Sequence, residues 1–354
     1  METSQESDNP RTWLQHWDRG PAELADRFNA LEPSDGLSLL KSRGFGCPSD
    51  PVNYDSVENR VFGYTLENAD RIVLKVYRPG RWTREGLLDE LEFIDELLSA
   101  GVTVVRPVGL PEGGMLGTWE GMNFVVFEFV AGVEDRTEPL DEEELRSLGR
   151  LAGRIHTVGV RKPALHRMPL EPRGMGSENL RYLAEGDMIP ADLVSPYSEQ
   201  ARAVIDLAIP AFADVPLVRV HGDLGSWNLL WTDSGPVVMD FDDFAMAPAV
   251  QDLSTLHSGI LTPWGNPRED PTLVDRLRPY FLEGYREVRE LPEAHIRPLK
   301  HLRGLRTIWF DAWIQSRLHD PNFLEYIKDD LTRKAWMKRI QGFERLLVEL
   351  RSES

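Results

Sequence analysis

Apolar residues recur along this chain with two periods that occupy different regions. Strand-like runs crowd residues 59–129 and return briefly at 215–239, whereas helical stripes fill most of the remainder. Trp13, Leu14, Trp17, Leu24, Phe28 and Leu31 share one face of a helix predicted within residues 11–31, with Pro21 at a first helical position. Ser34 is placed to cap a short helix over Asp35–Arg43, which Gly44 closes, and Pro48 and Pro51 then force an extended connection. Two strands follow, Asn59–Leu66 and Arg71–Tyr77, joined by the polar turn Glu67-Asn68-Ala69-Asp70. Leu87, Leu91, Ile94 and Leu98 stripe a helix over Arg84–Ala100. Val102–Val105 and Pro107-Val108 read as extended, Gly113-Gly114 as a turn, and Phe124–Phe129 as a continuous apolar strand of the buried type. Beyond Val130-Ala131-Gly132, Asp141 with Glu144 opens a helix over Asp141–Val158. Residues 159–214 are loops and helix, Val215–Val220 alternates as a strand, and Leu229–Trp231 and Val237–Met239 form a hairpin around Thr232–Pro236. Pro248–Leu253 begins a helix. From Pro271 to Leu350 the pattern is helical, with Leu273, Leu277, Phe281 and Tyr285, then Leu302, Leu305, Trp309, Ala312 and Trp313, as apolar stripes.

This order predicts an α+β fold of two lobes. Residues 1–33 form an N-terminal extension, 34–131 a small β-rich lobe and 132–354 a larger, mostly helical lobe. A formal charge of −18 argues against nucleic acid or an anionic membrane as principal partner and leaves cationic substrates open. Cys47 stands alone, which excludes an internal disulfide framework and a Cys-rich zinc site. No run approaches a membrane span and Met1–Pro10 is polar and acidic, so the expectation is a cytoplasmic protein.

The chemistry concentrates between Val220 and Leu253. Asp223 falls at a strand end, Asn228 five residues later, and the second hairpin strand delivers Asp240, with Asp242 and Asp243 directly behind it. Such oxygen donors suit a hard cation held against a phosphate, because Mg²⁺ takes one or two carboxylates plus an amide or water and completes its octahedron from the nucleotide. An aspartate on the same loop can orient a hydroxyl and accept its proton. Singly, H-G-D could be a turn and D-x-D-D a solvated loop; in this order across a hairpin they point to a phosphotransferase. The pattern H-G-D-x-x-x-x-N followed by Asp240-Phe241-Asp242 resembles the catalytic and metal loops of protein-kinase-like phosphotransferases, where H-R-D-x-x-x-x-N precedes D-F-G. Gly222 in place of arginine directs the resemblance to the aminoglycoside phosphotransferase and choline kinase branch, without an activation-loop switch. His221 is expected to pack beneath the loop.

Lys75 lies inside the strand Arg71–Tyr77, where burial demands an anionic partner. The kinase resemblance implies that Lys75 contacts the phosphates of ATP and is held by a glutamate on the next helix, Glu90 being best placed and Glu92 the alternative. Glu128–Val130 occupies the place of the hinge whose backbone pairs with adenine, which makes Glu128 and Val130 cofactor-binding candidates. No glycine-rich loop precedes Lys75; in the segment Tyr54–Arg60, the Ser56 hydroxyl and backbone amides are left to meet phosphate oxygens. Asp252 resembles the kinase residue that hydrogen-bonds the catalytic-loop backbone, which implies a supporting role and not metal ligation. His156 reads as structural, and Arg161, Lys162, His166 and Arg167 as a solvated basic face. Arg297, Lys300, Arg303 and Arg306 form a stripe that faces either a substrate phosphate or water.

Ser56–Phe62, Val73–Thr83 and Ala247–Leu253 together resemble the bacterial stress response kinase A family of serine/threonine protein kinases, and the likeness runs from about Ser34 to Phe323. It implies a protein-kinase-like, two-lobe fold of the aminoglycoside-phosphotransferase type, a monomer, ATP and Mg²⁺, and transfer to protein serine or threonine. Position by position it implies that Ser56 and Lys75 contact ATP, Asp223 accepts the proton, and Asn228 and Asp240 bind metal. The family usually reads H-G-D-C-H-x-G-N, and the departure at Leu224-Gly225-Ser226-Trp227 bears on the acceptor. Two other readings stay open: a small-molecule kinase for an amino alcohol, aminoglycoside or sugar hydroxyl, and a nucleotide-binding pseudokinase. Intact Lys75, Asp223, Asn228 and Asp240 argue against the second.

Overall fold

The computed structural model of the protein describes residues 20–46, 49–54, 56–133, 140–254 and 271–352. Trp13, Leu14, Trp17, Cys47, Pro48 and Asp55, and the side chains of Leu273 and Leu277, lie outside that description. Helices α1 (Ala22–Asn29) and α2 (Pro33–Ser42) precede three strands, β1 (Ser49–Tyr54), β2 (Arg60–Thr65) and β3 (Arg71–Val76). Helix α3 (Arg84–Ser99) follows, then β4 (Leu116–Trp119) and β5 (Met122–Glu128). The five strands make one antiparallel sheet in the order β1-β2-β3-β5-β4.

The period of two decides what each face of this sheet does. Ile72, Leu74 and Val76 of β3 bury into a cluster with Phe28, Leu31, Leu39, Leu40, Phe62, Tyr64, Phe124 and Val126, so α1 and α2 cover that face. Lys75, one residue out of phase, is thereby forced to the opposite face. There α3 packs, with Leu87, Leu91, Phe93, Ile94 and Leu97 joined to the core of the helical region.

That region contains α4 (Glu142–Gly159), a π-helical turn (Pro172–Glu178), α5 (Asn179–Glu185) and α6 (Val194–Phe212). Strand β6 (Leu217–Val220) pairs with β9 (Ala245–Pro248), and the hairpin of β7 (Leu229–Thr232) and β8 (Gly235–Val238) lies between them in sequence. Helices α7 (Val250–Ser254), α8 (Pro271–Val288), α9 (Glu293–Ile296), α10 (Pro298–Arg317), α11 (Pro321–Ile327) and α12 (Arg333–Ser352) complete the chain. Among the described residues no helix is long and apolar enough to cross a membrane.

Several local expectations need correction. Helix α2 begins at Pro33 and is capped by Glu32 in a reciprocal box with Asp35, so Ser34 is not its cap. The connection after Pro48 is strand β1, an edge strand whose register shifts between Ser49 and Val52, where Pro51 is tolerated. Val102–Val105 contributes an isolated bridge, Val104 to Val238, and no strand. Pro248 ends β9, and α7 starts two residues later.

Candidate active site

Lys75 is buried, and its Nζ lies 2.6 Å from Asp240 Oδ1 and 3.6 Å from Asp242 Oδ1. Burial alone would lower the proton affinity of the ammonium; Asp240, Asp242 and Glu90 outweigh it and hold Lys75 above the ordinary lysine value. The expected pairing of Lys75 with Glu90 is not made: no ion pair within 4 Å joins them among the described residues. Glu90 instead accepts from Arg167 Nη2 at 2.5 Å and from the Tyr77 hydroxyl at 2.9 Å. Arg167 is the reason, because it enters from the chain after α4, is fully buried with Glu90, and brings the fixed positive charge that a sealed carboxylate needs. Burial pushes the Glu90 carboxyl up to about 7, with Lys75 and Arg167 opposing. Glu92 is excluded as the inward residue, since it is exposed and pairs with Lys162 at 2.5 Å.

The loop after β6 is held from behind by Asp252. Its carboxylate accepts from the amides of His221 at 2.9 Å and Gly222 at 2.8 Å, and lies 3.0 Å from His156 Nε2. Burial opposes ionisation of Asp252, while the bond from His156 and the loop amide keep its pKa below the ordinary value. His221 is fully buried; Nε2 donates to the Met239 carbonyl at 2.9 Å and the ring packs against Phe241, centroids 4.5 Å apart and planes tilted by 51°. Gly222 has φ +91, and a Cβ there would stand 2.0 Å from the Asp243 carbonyl, so the two loops touch backbone to backbone.

Asp223 is held on both oxygens. Arg306 Nη2 of α10 donates to Oδ1 at 3.3 Å, and the Trp227 indole N–H donates to Oδ2 at 2.8 Å. Asn228 Nδ2 donates to the Asp223 carbonyl at 2.8 Å. Asp240, at the end of β8, adopts a left-handed φ of 57 that turns its half-exposed carboxylate toward Lys75. Asp242 is buried and bonded by Arg81 and by Asn59 Nδ2 at 3.1 Å. Asp243 accepts from Arg81 Nη2 at 2.6 Å. Burial raises the Asp243 pKa to about 6, and the neighbouring aspartates add to this against Arg81.

Ser56 belongs to a turn that contains no glycine, and its Oγ accepts the Asn59 amide at 3.2 Å. Arg78 takes the carbonyls of Glu58 at 3.0 Å and Val57 at 3.2 Å, so those carbonyls face inward. The Glu58 carboxylate accepts from Arg317 at 2.6 and 3.2 Å and from the Trp313 indole at 2.9 Å. At the other end of the sheet the amides of Glu128 and Phe129 are spent on the carbonyls of Arg106 and Arg71, and Val130 is half-buried beside them.

The structure therefore brings Lys75, Asp240 and Asp242 together and sets Asp223 and Asn228 on the adjoining loop. Arg81, Arg167, Arg306, Arg317, Asn59, Glu58 and Trp227 were not expected in these roles. Arg167 and Arg306 carried a visible signal as members of basic clusters, but reading the first as a solvated face was wrong: Arg167 is 4% exposed. Among the described residues no three His, Cys, Asp or Glu side chains form a metal cluster. The donors present are the half-exposed Asp240 carboxylate, the Asn228 amide and the buried Asp242 Oδ1, which has no hydrogen-bond partner. These hard oxygens are too few to cage a metal alone, and they fit an Mg²⁺ that shares its shell with phosphate.

A lysine under an antiparallel five-stranded sheet, facing hairpin carboxylates beside an H-G-D-x-x-x-x-N loop, defines a protein-kinase-like phosphotransferase. The chain belongs to the Phosphotransferase enzyme family (APH), whose profile matches residues 53–291, and within it to the stress response kinase A group. It is 31% identical over 318 residues to Stress response kinase A of Escherichia coli (strain K12), covering 89% of this chain and 92% of that protein. It is 28% identical over 297 residues to a serine/threonine protein kinase of Salmonella typhimurium, RdoA, covering 84% and 86% of the two chains. Among solved structures, a microcompartment-associated aminopropanol kinase superposes with a TM-score of 0.69 at 21% identity, covering 90% of this chain and 97% of that one. Amicoumacin kinase hAmiN, in complex with AMP-PNP, Ca²⁺ and Ami, gives 0.67 at 19% identity over 90% and 94%. These two likenesses establish the fold.

Proposed function

We propose that this protein is an ATP- and Mg²⁺-dependent kinase that transfers the γ-phosphoryl group to the hydroxyl of a protein serine or threonine. The observation that carries the acceptor is the likeness over most of the chain to the stress response kinases, one of which is named a serine/threonine protein kinase. The cleft beside Asp223 that would receive the hydroxyl is lined by Trp82, Met168, Asp243, Arg306 and Trp309, among others.

Lys75 grips the phosphates, the amide side of the Ser56–Asn59 turn faces them, and Val130 offers its backbone to adenine because the amides of Glu128 and Phe129 are already bonded. Glu90 aims the site indirectly, through Tyr77 and Arg167. Asn228 and Asp240 would hold Mg²⁺, which supplies charge neutralisation on the phosphates. Asp223 orients the acceptor hydroxyl. The hydroxyl oxygen bonds to the γ-phosphorus, the bond from that phosphorus to the bridging oxygen of ADP breaks, and the hydroxyl proton passes to Asp223. The small lobe then spans residues 34–131 and the larger one 132–354, with the hinge between them.

Incubation with labelled ATP·Mg²⁺, a generic basic protein and a panel of cationic alcohols tests this. Label on protein serine or threonine is expected. Label on a small molecule would transfer the assignment to a metabolite kinase, and binding without turnover would make the protein a pseudokinase.

A further inference from the structure

The turn that takes the place of a glycine-rich loop is fastened to the helical region by charge. Glu58 reaches α10 through Arg317 and Trp313, and Arg78, which holds the carbonyls of Val57 and Glu58, pairs with Asp320 at 3.0 Å just beyond the same helix. The side chains of Arg78 and Arg317 are 6% and 1% exposed, so these pairs are sheltered from solvent screening. The Glu58 carboxyl is held well below the usual carboxylate range: burial opposes this, and Arg317, Arg81 and Arg78 prevail. Three turns earlier on α10, Arg306 bonds Asp223 Oδ1 and reaches the Gly222 carbonyl at 3.4 Å. Eleven residues separate Arg306 from Arg317, which returns them to one helix face about 16 Å apart along the axis.

We infer that α10 is the strut that sets the nucleotide turn at a fixed distance from the catalytic loop, with Arg317 and Trp313 as positioning residues for the turn and Arg306 as the positioning residue for Asp223. A glycine-rich loop follows the phosphates by bending. This turn has no glycine, and its carbonyls are tied down, so its place over the phosphates is dictated by the ion pair to α10. Donor and acceptor halves of the site are then registered by one rigid element.

The inference rests on the reading of Ser56–Asn59 as the phosphate turn, and the test separates the two. ATP·Mg²⁺ affinity is measured by titration calorimetry in Glu58→Gln, Arg317→Met, the double variant, Arg317→Lys and Lys75→Met, with amide exchange followed over residues 56–60. Glu58→Gln and Arg317→Met are each expected to weaken ATP·Mg²⁺ binding by about tenfold or more, as loss of a charge-assisted bond implies. The double variant should be no weaker than Glu58→Gln alone, because that single already removes the ion pair with Arg317. Arg317→Lys should recover only part, having lost the fork. Exchange should quicken over 56–60 and not over β5, which a general loss of folding would not produce. Binding lost in Lys75→Met but unchanged in Glu58→Gln and Arg317→Met overturns the strut and leaves the kinase reading standing. Unchanged binding in all three overturns both, and additive losses in the double variant overturn the pairing.

Discussion

Glu90→Gln separates the structural from the catalytic part of the small-lobe helix. Glu90 and Arg167 are both fully buried, and the carboxyl titrates at about 7 in place of 4.5 because burial disfavours its charge more than Lys75 and Arg167 favour it. Unfolded, the group sheds its proton near 4.5; folded, it keeps it until about 7. Between those values the folded state holds a proton that the unfolded state has lost, so raising the pH across this window removes stability. At 1.36 kcal/mol per pH unit the loss is about 3 kcal/mol, or roughly 4 °C in Tm for a chain of this size. Glutamine cannot titrate and still accepts one bond from Arg167. Melting measured from pH 5 to 8 should therefore fall more steeply in the parent than in Glu90→Gln, by roughly that margin. Because Lys75 takes its carboxylates from Asp240 and Asp242, ATP·Mg²⁺ affinity at pH 7 should change less than about tenfold, below the effect of losing a direct charge-assisted bond. Parallel melting profiles in the two proteins would refute the burial argument, and a collapse of ATP affinity would restore Glu90 as the direct partner of Lys75.

Three further outcomes are expected. Asp240→Ala should lose turnover with weakened ATP·Mg²⁺ binding, whereas Asp223→Asn should keep nucleotide affinity and lose the chemical step; calorimetry beside turnover checks this, and equal loss of affinity in both contradicts the roles. Trp227→Phe keeps a ring and deletes the N–H bonded to Asp223, so kcat should fall about tenfold to a hundredfold with ATP affinity intact, and an unchanged kcat would show that the indole does not aim the base. Gly222→Ala places a Cβ 2.0 Å from the Asp243 carbonyl at φ +91, so stability should drop by about 2 kcal/mol or more; a variant melting with the parent would mean that the two loops part easily.

What the sequence made legible was what lies close together along it. The H-G-D-x-x-x-x-N loop, the hairpin and its aspartates, and the amphipathic α3 follow from spacing, while Glu90 on the inner face and Asp252 behind the loop follow from the kinase resemblance. The site's arginines were illegible for a physical reason. Arg167 meets Glu90 across 77 positions, Arg81 meets Asp242 across 161, and Arg317 meets Glu58 across 259. Nothing local distinguishes such an arginine from one in water, and in each case burial is what gives the pair its consequence. Strands β1 and β9 escaped for a different reason: Ser49–Tyr54 carries Pro51 and Ala245–Pro248 is too short to alternate.

Those buried arginines also change what the charge of −18 means. Arg78, Arg81, Arg167, Arg219 and Arg317 are each no more than 7% exposed, and each is matched inside by carboxylates: Asp320, Asp242, Glu90, Glu96 and Glu58. The pairs cancel, so they contribute little to the outer field, and the acidic excess of the chain is carried by the charges left nearer its surface. The cationic side of the machinery thus points inward, where phosphate would be gripped by Lys75, while the chain as a whole carries a formal charge of −18. If the acceptor is a polypeptide, as proposed above, a net charge of this sign attracts one that presents basic residues around its hydroxyl more readily than an anionic one.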